Sequence, residues 1–184
     1  MSENRKEIFA YHVVTDRPMK IGQHIIFDEN QHNGVYRRVM EKVPLAEEIY
    51  GNPDRYDAEK LEHHTRVALR ELALEKIRQE KYPEYPSRMS CLYVSESMEE
   101  AEKWAELFRE WKRPVYGIVR LKILGRVFAG DANNCFDAAL NEAENLRLAE
   151  RYWRNLPNLK GEPVIREMLV DGDIEVVECD GELK

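Results

Sequence analysis

Within a few residues of Ser95 the hydrophobic period of the chain changes from that of a strand to that of a helix, and this switch limits the folds open to it. In CLYVS, Leu92 and Val94 point one way, while Cys91, Tyr93 and Ser95 point the other. From Ser97 the sequence S-M-E-E is a capping box. The serine hydroxyl takes the backbone N–H three residues on and Glu100 reaches back. Met98, Ala101, Trp104, Ala105, Phe108 and Trp111 then mark one helical face.

Both periods recur without regular alternation. IFAYHVV (8–14) and QHIIF (23–27) read as strands, separated by Pro18 and Gly22. A short helix is expected over 35–42, followed by a loop around GNPDRYD (51–57). Asp57 is a plausible N-cap for a long helix to about Gln79, with Leu61, Ala68 and Leu72 beside Leu69, Ala73 and Ile77 as its apolar stripe. The proline-rich KYPEYPSR ends it. PVYGIVRLKILGRVFAG (114–130) predicts two strands turning near Gly125, and Ala139, Ala143, Leu146 and Trp153 mark a further helix. PVIREMLV and DIEVVE, separated by Asp171-Gly172, close the chain as two strands. This order favours an α+β fold over a doubly wound one, and 184 residues suit a single domain spanning 1–184.

A net charge of −7, from 35 acids and 28 bases, disfavours non-specific binding to nucleic acid or anionic membranes. No apolar run approaches a membrane span, and MSENRKEIF lacks the apolar core of a signal peptide, so a cytoplasmic location is expected. Cys91, Cys135 and Cys179 form no C-x-x-C pair and are expected to be buried free thiols. No metal site is expected. His63 and His64 follow Glu62, but adjacent helical residues project about 100° apart and cannot share one ion.

Four residues stand out from their local pattern. Tyr93 and Ser95 lie off the core face of their strand, as a cleft lining or as ordinary contacts to a helix. Glu167 sits in PVIREMLV, where both faces are otherwise apolar, on the side of Ile165 and Leu169. A carboxylate there costs several kcal/mol unless hydrogen bonds or a cation compensate. His12 lies mid-strand between Tyr11 and Val13.

AYHVVT, SRMSCLYVSES and REMLVDGDIEVVE, in that order, resemble three stations of the ADP-ribosyltransferase superfamily. The PSR-x-x-CLYV-x-x-S-x-x-x-A-x-x-W pattern from Pro86 to Trp104 also resembles an uncharacterised bacterial family, the domain of unknown function 2441. The resemblance implies a split, mixed β-sheet core flanked by helices. In the branch related to diphtheria toxin and the poly-ADP-ribose polymerases, it implies an NAD cleft lined by His12, Tyr93 and Glu167. His12 would bond the adenosine-side ribose, Tyr93 would stack on nicotinamide, and Glu167 would hold the nicotinamide ribose and support the cation formed on cleavage. Ser95 is a candidate donor beside Glu167. Arg88 is a candidate for NAD's phosphates, with a structural salt bridge as the alternative.

On this resemblance the chain is expected to be an NAD-dependent ADP-ribosyltransferase, or an NAD glycohydrolase if water is the acceptor. The acceptor, whether protein, nucleic acid or small molecule, is open, and a toxin of this kind would need a neutralising partner protein. Ile165 stands where arginine-modifying relatives carry Glu or Gln, and S-E-S replaces the S-T-S of toxin relatives. The alternatives are a binding protein that kept the fold without catalysis and an RNA 2′-phosphotransferase-like enzyme.

Overall fold

The computed structural model describes residues 5–180. Its elements confirm the α+β class: strands β1 (Lys6–Val14), β2 (His24–Phe27), β3 (Leu92–Val94), β4 (Gly117–Gly125), β5 (Val127–Asp131), β6 (Arg166–Val170) and β7 (Gly172–Asp180) are interspersed with helices α1 (Gly34–Met40), α2 (Val43–Gly51), α3 (His63–Lys81), α4 (Met98–Glu110) and α5 (Glu142–Trp153). The strands form a four-stranded sheet, β1-β4-β7-β2, and a three-stranded sheet, β3-β6-β5.

By its contacts the chain falls into two compact units, neither continuous in sequence. One combines the segments up to Gln31, Cys91–Ala129 and from Arg166 onward; the other combines His32–Ser90 and Gly130–Ile165. The first unit holds most of both sheets. Ala10, Val14, Val119, Leu121, Ile123, Ile174 and Val176 from the larger sheet share an apolar core with Val94, Met168 and Val170 from the smaller one. On the other face of β1, Tyr11 and Val13 meet Ala101, Ala105, Trp104 and Phe108 of α4. That is the face read from the sequence, except that Trp111 caps the helix end and is 57% exposed. Ser97 caps α4 by accepting from Glu100 N–H at 3.2 Å, while the Glu100 carboxylate reaches to Glu96 N–H at 3.1 Å, one residue beyond the expected box.

Two details of the sheets differ from expectation. The sheet core is antiparallel throughout rather than mixed: β1–β4, β4–β7, β2–β7 and β3–β6 are all antiparallel ladders. For β5 and β6, Asp171 N–H meets Arg126 O at one end and Ala132 N–H meets Ile165 O at the other, which runs the strands in opposite directions. The turns at Gly125 and Asp171-Gly172 also make no hairpins, because β4 and β7 belong to one sheet while β5 and β6 belong to the other. Both turns therefore carry the chain from sheet to sheet, and they lie against each other. A Cβ on Gly125 would come within 1.8 Å of Asp171 O, and one on Gly172, at φ +85°, within 2.2 Å of Leu124 O. Asp171 locks the crossing by accepting from Arg126 N–H and Nε, each at 2.8 Å. Periodicity marks such turns but does not say which sheet the next strand joins.

In the second unit, α3 begins five residues later than predicted. Asp57 caps only the one-turn helix Ala58–Lys60 by accepting from Glu59 N–H, and Leu61 is extended. Glu62 is the real N-cap, accepting from His64 and Thr65 N–H. Chiefly through the His64 bond, its carboxyl pKa falls to about 2. The suspicious Glu-His-His triplet is thus a helix start. Helix α2 was missed: the expected short helix stops at residue 42 and the expected loop starts at Gly51, with nothing assigned between them. The buried Trp153 of α5 donates to Leu74 O of α3 at 2.8 Å. Of the three free cysteines only Cys91 is fully buried; Cys135 is half-buried and Cys179 exposed, because Cys179 sits near the end of β7.

Candidate functional site

Strand β3 is only three residues long, and what replaces its hydrogen bonds at each end defines the site. Towards β1 a single pair joins the sheets: Tyr11 N–H donates to Ser95 O at 2.8 Å and Ser95 N–H to Tyr11 O at 2.7 Å. In a continuous antiparallel sheet the next hydrogen-bonded pair lies two residues on, joining Val13 to Tyr93. Instead the sheets part, and the Tyr93 carbonyl is taken by His12 Nδ1 at 2.7 Å. The imidazole wedges the split. Val13 N–H and C=O, by the alternation of the strand, point to the same side as those of Tyr11 and so toward the opening. Sequence reasoning missed these backbone groups, since Val13 carries no chemical signal in its side chain.

The bond also fixes the state of His12. A carbonyl only accepts, so Nδ1 carries the proton, and in the neutral ring Nε2 is left as an acceptor. Part of the residue meets solvent, but burial of the ring lowers its pKa below the ordinary 6.5, and the Tyr93 carbonyl only partly offsets this. At neutral pH His12 is an uncharged acceptor beside the split.

On the other edge, β3 pairs with β6 through Tyr93↔Leu169 and Val94↔Met168. One further step of this register places Ser95 opposite Glu167 as a non-hydrogen-bonded pair, the type with the closer side chains. Residues opposite each other share a face, so Tyr93, Ser95 and Glu167 fall on the side away from the Val94–Met168 core. Both Ser95 and Glu167 are buried, Glu167 with 9% of its surface exposed. The reason differs from the one read in the sequence. Val164 and Ile165 precede the strand and are 71% and 39% exposed, so they bury nothing. What remains of the apolar setting is the run that follows Glu167, Met168 to Val170, each no more than 6% exposed.

His12 belongs to the opposite face by alternation and joins this group only through the split, where its ring meets the Tyr93 backbone. Arg88 lies in the second unit, buried, with Nε 2.9 Å from Glu71 Oε2 and Nη1 2.6 Å from the Tyr152 hydroxyl. Of the two roles left open for Arg88, this geometry is that of the structural salt bridge. Burial alone would raise the Glu71 pKa, but the Arg88 and Arg70 guanidiniums hold it below the usual carboxylate value.

The described residues contain no group of three or more His, Cys, Asp or Glu side chains able to hold a metal ion, and no helix long and apolar enough to cross a membrane. What the fold and site define is an α+β protein with a split antiparallel sheet, whose parting strands carry an imidazole and a phenol and whose next strand carries a buried carboxylate. Residues 10–181 match the family model described as a protein of unknown function (DUF2441), and the chain belongs to that family. A search of the curated proteins finds no match.

Proposed function

We propose that this chain is an NAD-dependent ADP-ribosyltransferase, or an NAD glycohydrolase where water is the acceptor. The observation that carries this reading is the His12–Tyr93 bond at the point where β1 and β3 separate, with Ser95 and Glu167 aligned on the adjoining strand pair. A split sheet offers what a dinucleotide needs: an opening lined by backbone donors and acceptors. A carboxamide has one donor and one acceptor face, the complement of the Val13 backbone pair. Neutral His12 offers Nε2 to a ribose hydroxyl, and the Tyr93 ring offers an aromatic face to nicotinamide.

The chemistry then follows from charge. The bond between the ribose C1′ and the cationic nicotinamide nitrogen breaks, and its electron pair leaves with neutral nicotinamide. The positive charge passes to an oxocarbenium-like sugar. A fixed Glu167 carboxylate stabilises that transition state more than the ground state, and Ser95 is the candidate to orient it. The acceptor's nucleophile adds to C1′ and its proton passes to solvent. NAD is therefore substrate rather than resident cofactor. Arg88 is left out of the contact set because it is engaged by Glu71 and Tyr152. A cytoplasmic setting and a neutralising partner protein belong to the same proposal.

The decisive test is to incubate the purified chain with NAD, following thermal stability and nicotinamide release together. Stabilisation with release supports the enzyme; stabilisation without release leaves a binding protein of the same fold; neither effect removes NAD from the proposal.

His12 supplies a second check. Its folded pKa lies below the unfolded value near 6.5, so the unfolded chain binds the proton first as pH falls. Its contribution to stability is fully present above pH 6.5 and is lost as pH drops from there through the folded pKa. His24 runs the other way, its pKa raised by its bond to Asp173, so a whole-protein pH profile mixes both signs. The expected result is that His12→Gln flattens the fall in melting temperature between about pH 6.5 and 5 relative to wild type. An unchanged slope would mean that the ring is not titrating as described.

A further inference from the structure

The same logic that identifies His12 applies at the far end of β3. Ser95 turns its N–H and C=O toward β1, so its neighbours Val94 and Glu96 turn theirs toward β6. Continuing the Val94↔Met168 register makes Glu96 and Arg166 the next hydrogen-bonded pair, with Glu96 N–H donating to Arg166 O. Neither group does this. Glu96 N–H is held by the Glu100 carboxylate at 3.1 Å, and Arg166 O accepts from the Trp104 indole Nε1–H at 3.1 Å. The two side chains still face each other across the vanished ladder, as an ion pair of 2.9 Å between Arg166 Nη2 and a Glu96 carboxylate oxygen.

We infer that Trp104 is a positioning residue for Glu167, its indole N–H standing in for the missing strand partner of the Arg166–Glu167 peptide. The accepted carbonyl belongs to the peptide bond whose nitrogen is that of Glu167. Whatever holds it sets where the carboxylate stem begins. The indole is itself fixed, since Trp104 packs with Tyr11, Val13 and Phe108 against β1, its ring centroid 5.7 Å from that of Phe108. Helix α4 thus ties the strand bearing Tyr11 and His12 to the start of the strand bearing Glu167, across the end of β3. The Glu96–Arg166 ion pair is exposed on both sides and is worth little by itself; the indole bond is the geometric restraint. That this position matters for nicotinamide cleavage rests on the function proposed above. That Trp104 sets the place of Glu167 does not.

The test uses the full chain labelled with carboxyl-13C glutamate, the Glu167 resonance being the one lost in Glu167→Gln. Trp104→Phe keeps an aromatic ring in the contact with Val13 and removes only the N–H. It is expected to move the Glu167 carboxyl resonance at fixed pH, with the Glu71 resonance unmoved. The kcat for nicotinamide release should drop roughly tenfold with KM for NAD within about twofold. Trp104→His, which restores a ring N–H, is expected to bring the Glu167 resonance back toward wild type. A Glu167 resonance unmoved in Trp104→Phe overturns the inference, as does an equal shift in both variants, which would mark a role in shape alone. A shifted and rescued resonance in a protein that releases no nicotinamide would keep the positioning role and discard the catalytic reading.

Discussion

Replacing Glu167 with glutamine is expected to lower nicotinamide release by about 10³-fold while NAD still raises the melting temperature. Glutamine preserves shape and one acceptor oxygen but removes the charge. At about 4 Å and an effective dielectric of about 20, attraction between a carboxylate and the sugar cation is roughly 4 kcal/mol, which is about 10³ in rate. The positive charge moves from the nicotinamide ring onto the sugar as the bond breaks, so most of the loss should fall on kcat and little on affinity. The measurement is kcat and KM for NAD by nicotinamide release, with thermal shift alongside. A variant that loses NAD stabilisation and rate in parallel would assign Glu167 to binding. One that keeps its rate would remove it from the chemistry.

Arg88→Met is expected to lower stability by about 3 kcal/mol in urea unfolding, with any NAD response retained. Breaking a buried ion pair from one side leaves an uncompensated charge and costs 3–5 kcal/mol in general. The lower end applies because Arg70 still reaches Glu71 at 3.1 Å. Removing both charges, in Arg88→Met with Glu71→Leu, should recover most of the loss, since an apolar pair of similar size is often as stable. The opposite pattern, unchanged stability with NAD stabilisation lost, would return Arg88 to the phosphates and reject its structural assignment.

How much of this was legible before the fold was known depended on the kind of signal. Helix α4 could be read almost residue by residue, because an amphipathic stripe and its cap are local. So could the outward turn of Tyr93, since strand alternation needs no partner. Helix α3 was placed too early because Asp57 and Glu62 both make caps and only the extended Leu61 between them decides. Whether two strands joined by a glycine turn form a hairpin or change sheets is a tertiary choice, and both Gly125 and Gly172 hid it. Glu167 was singled out by its apolar neighbours, yet Val164 and Ile165 turned out to be exposed. The residues that shape the opening most directly, the Val13 backbone and the Trp104 indole, left no trace in the pattern. Their parts come from bonds that a ladder would have made and did not.

A sheet that parts has a chemical liability, because every carbonyl and amide bared along the gap invites another strand to dock there. Here the bared oxygens of Tyr93 and Arg166 are each covered by a ring N–H from a neighbouring element, the imidazole of His12 and the indole of Trp104. A ring blocks the edge as a peptide would but is too narrow to extend it. That leaves the Val13 N–H and C=O facing the split, too short a stretch to seat another strand.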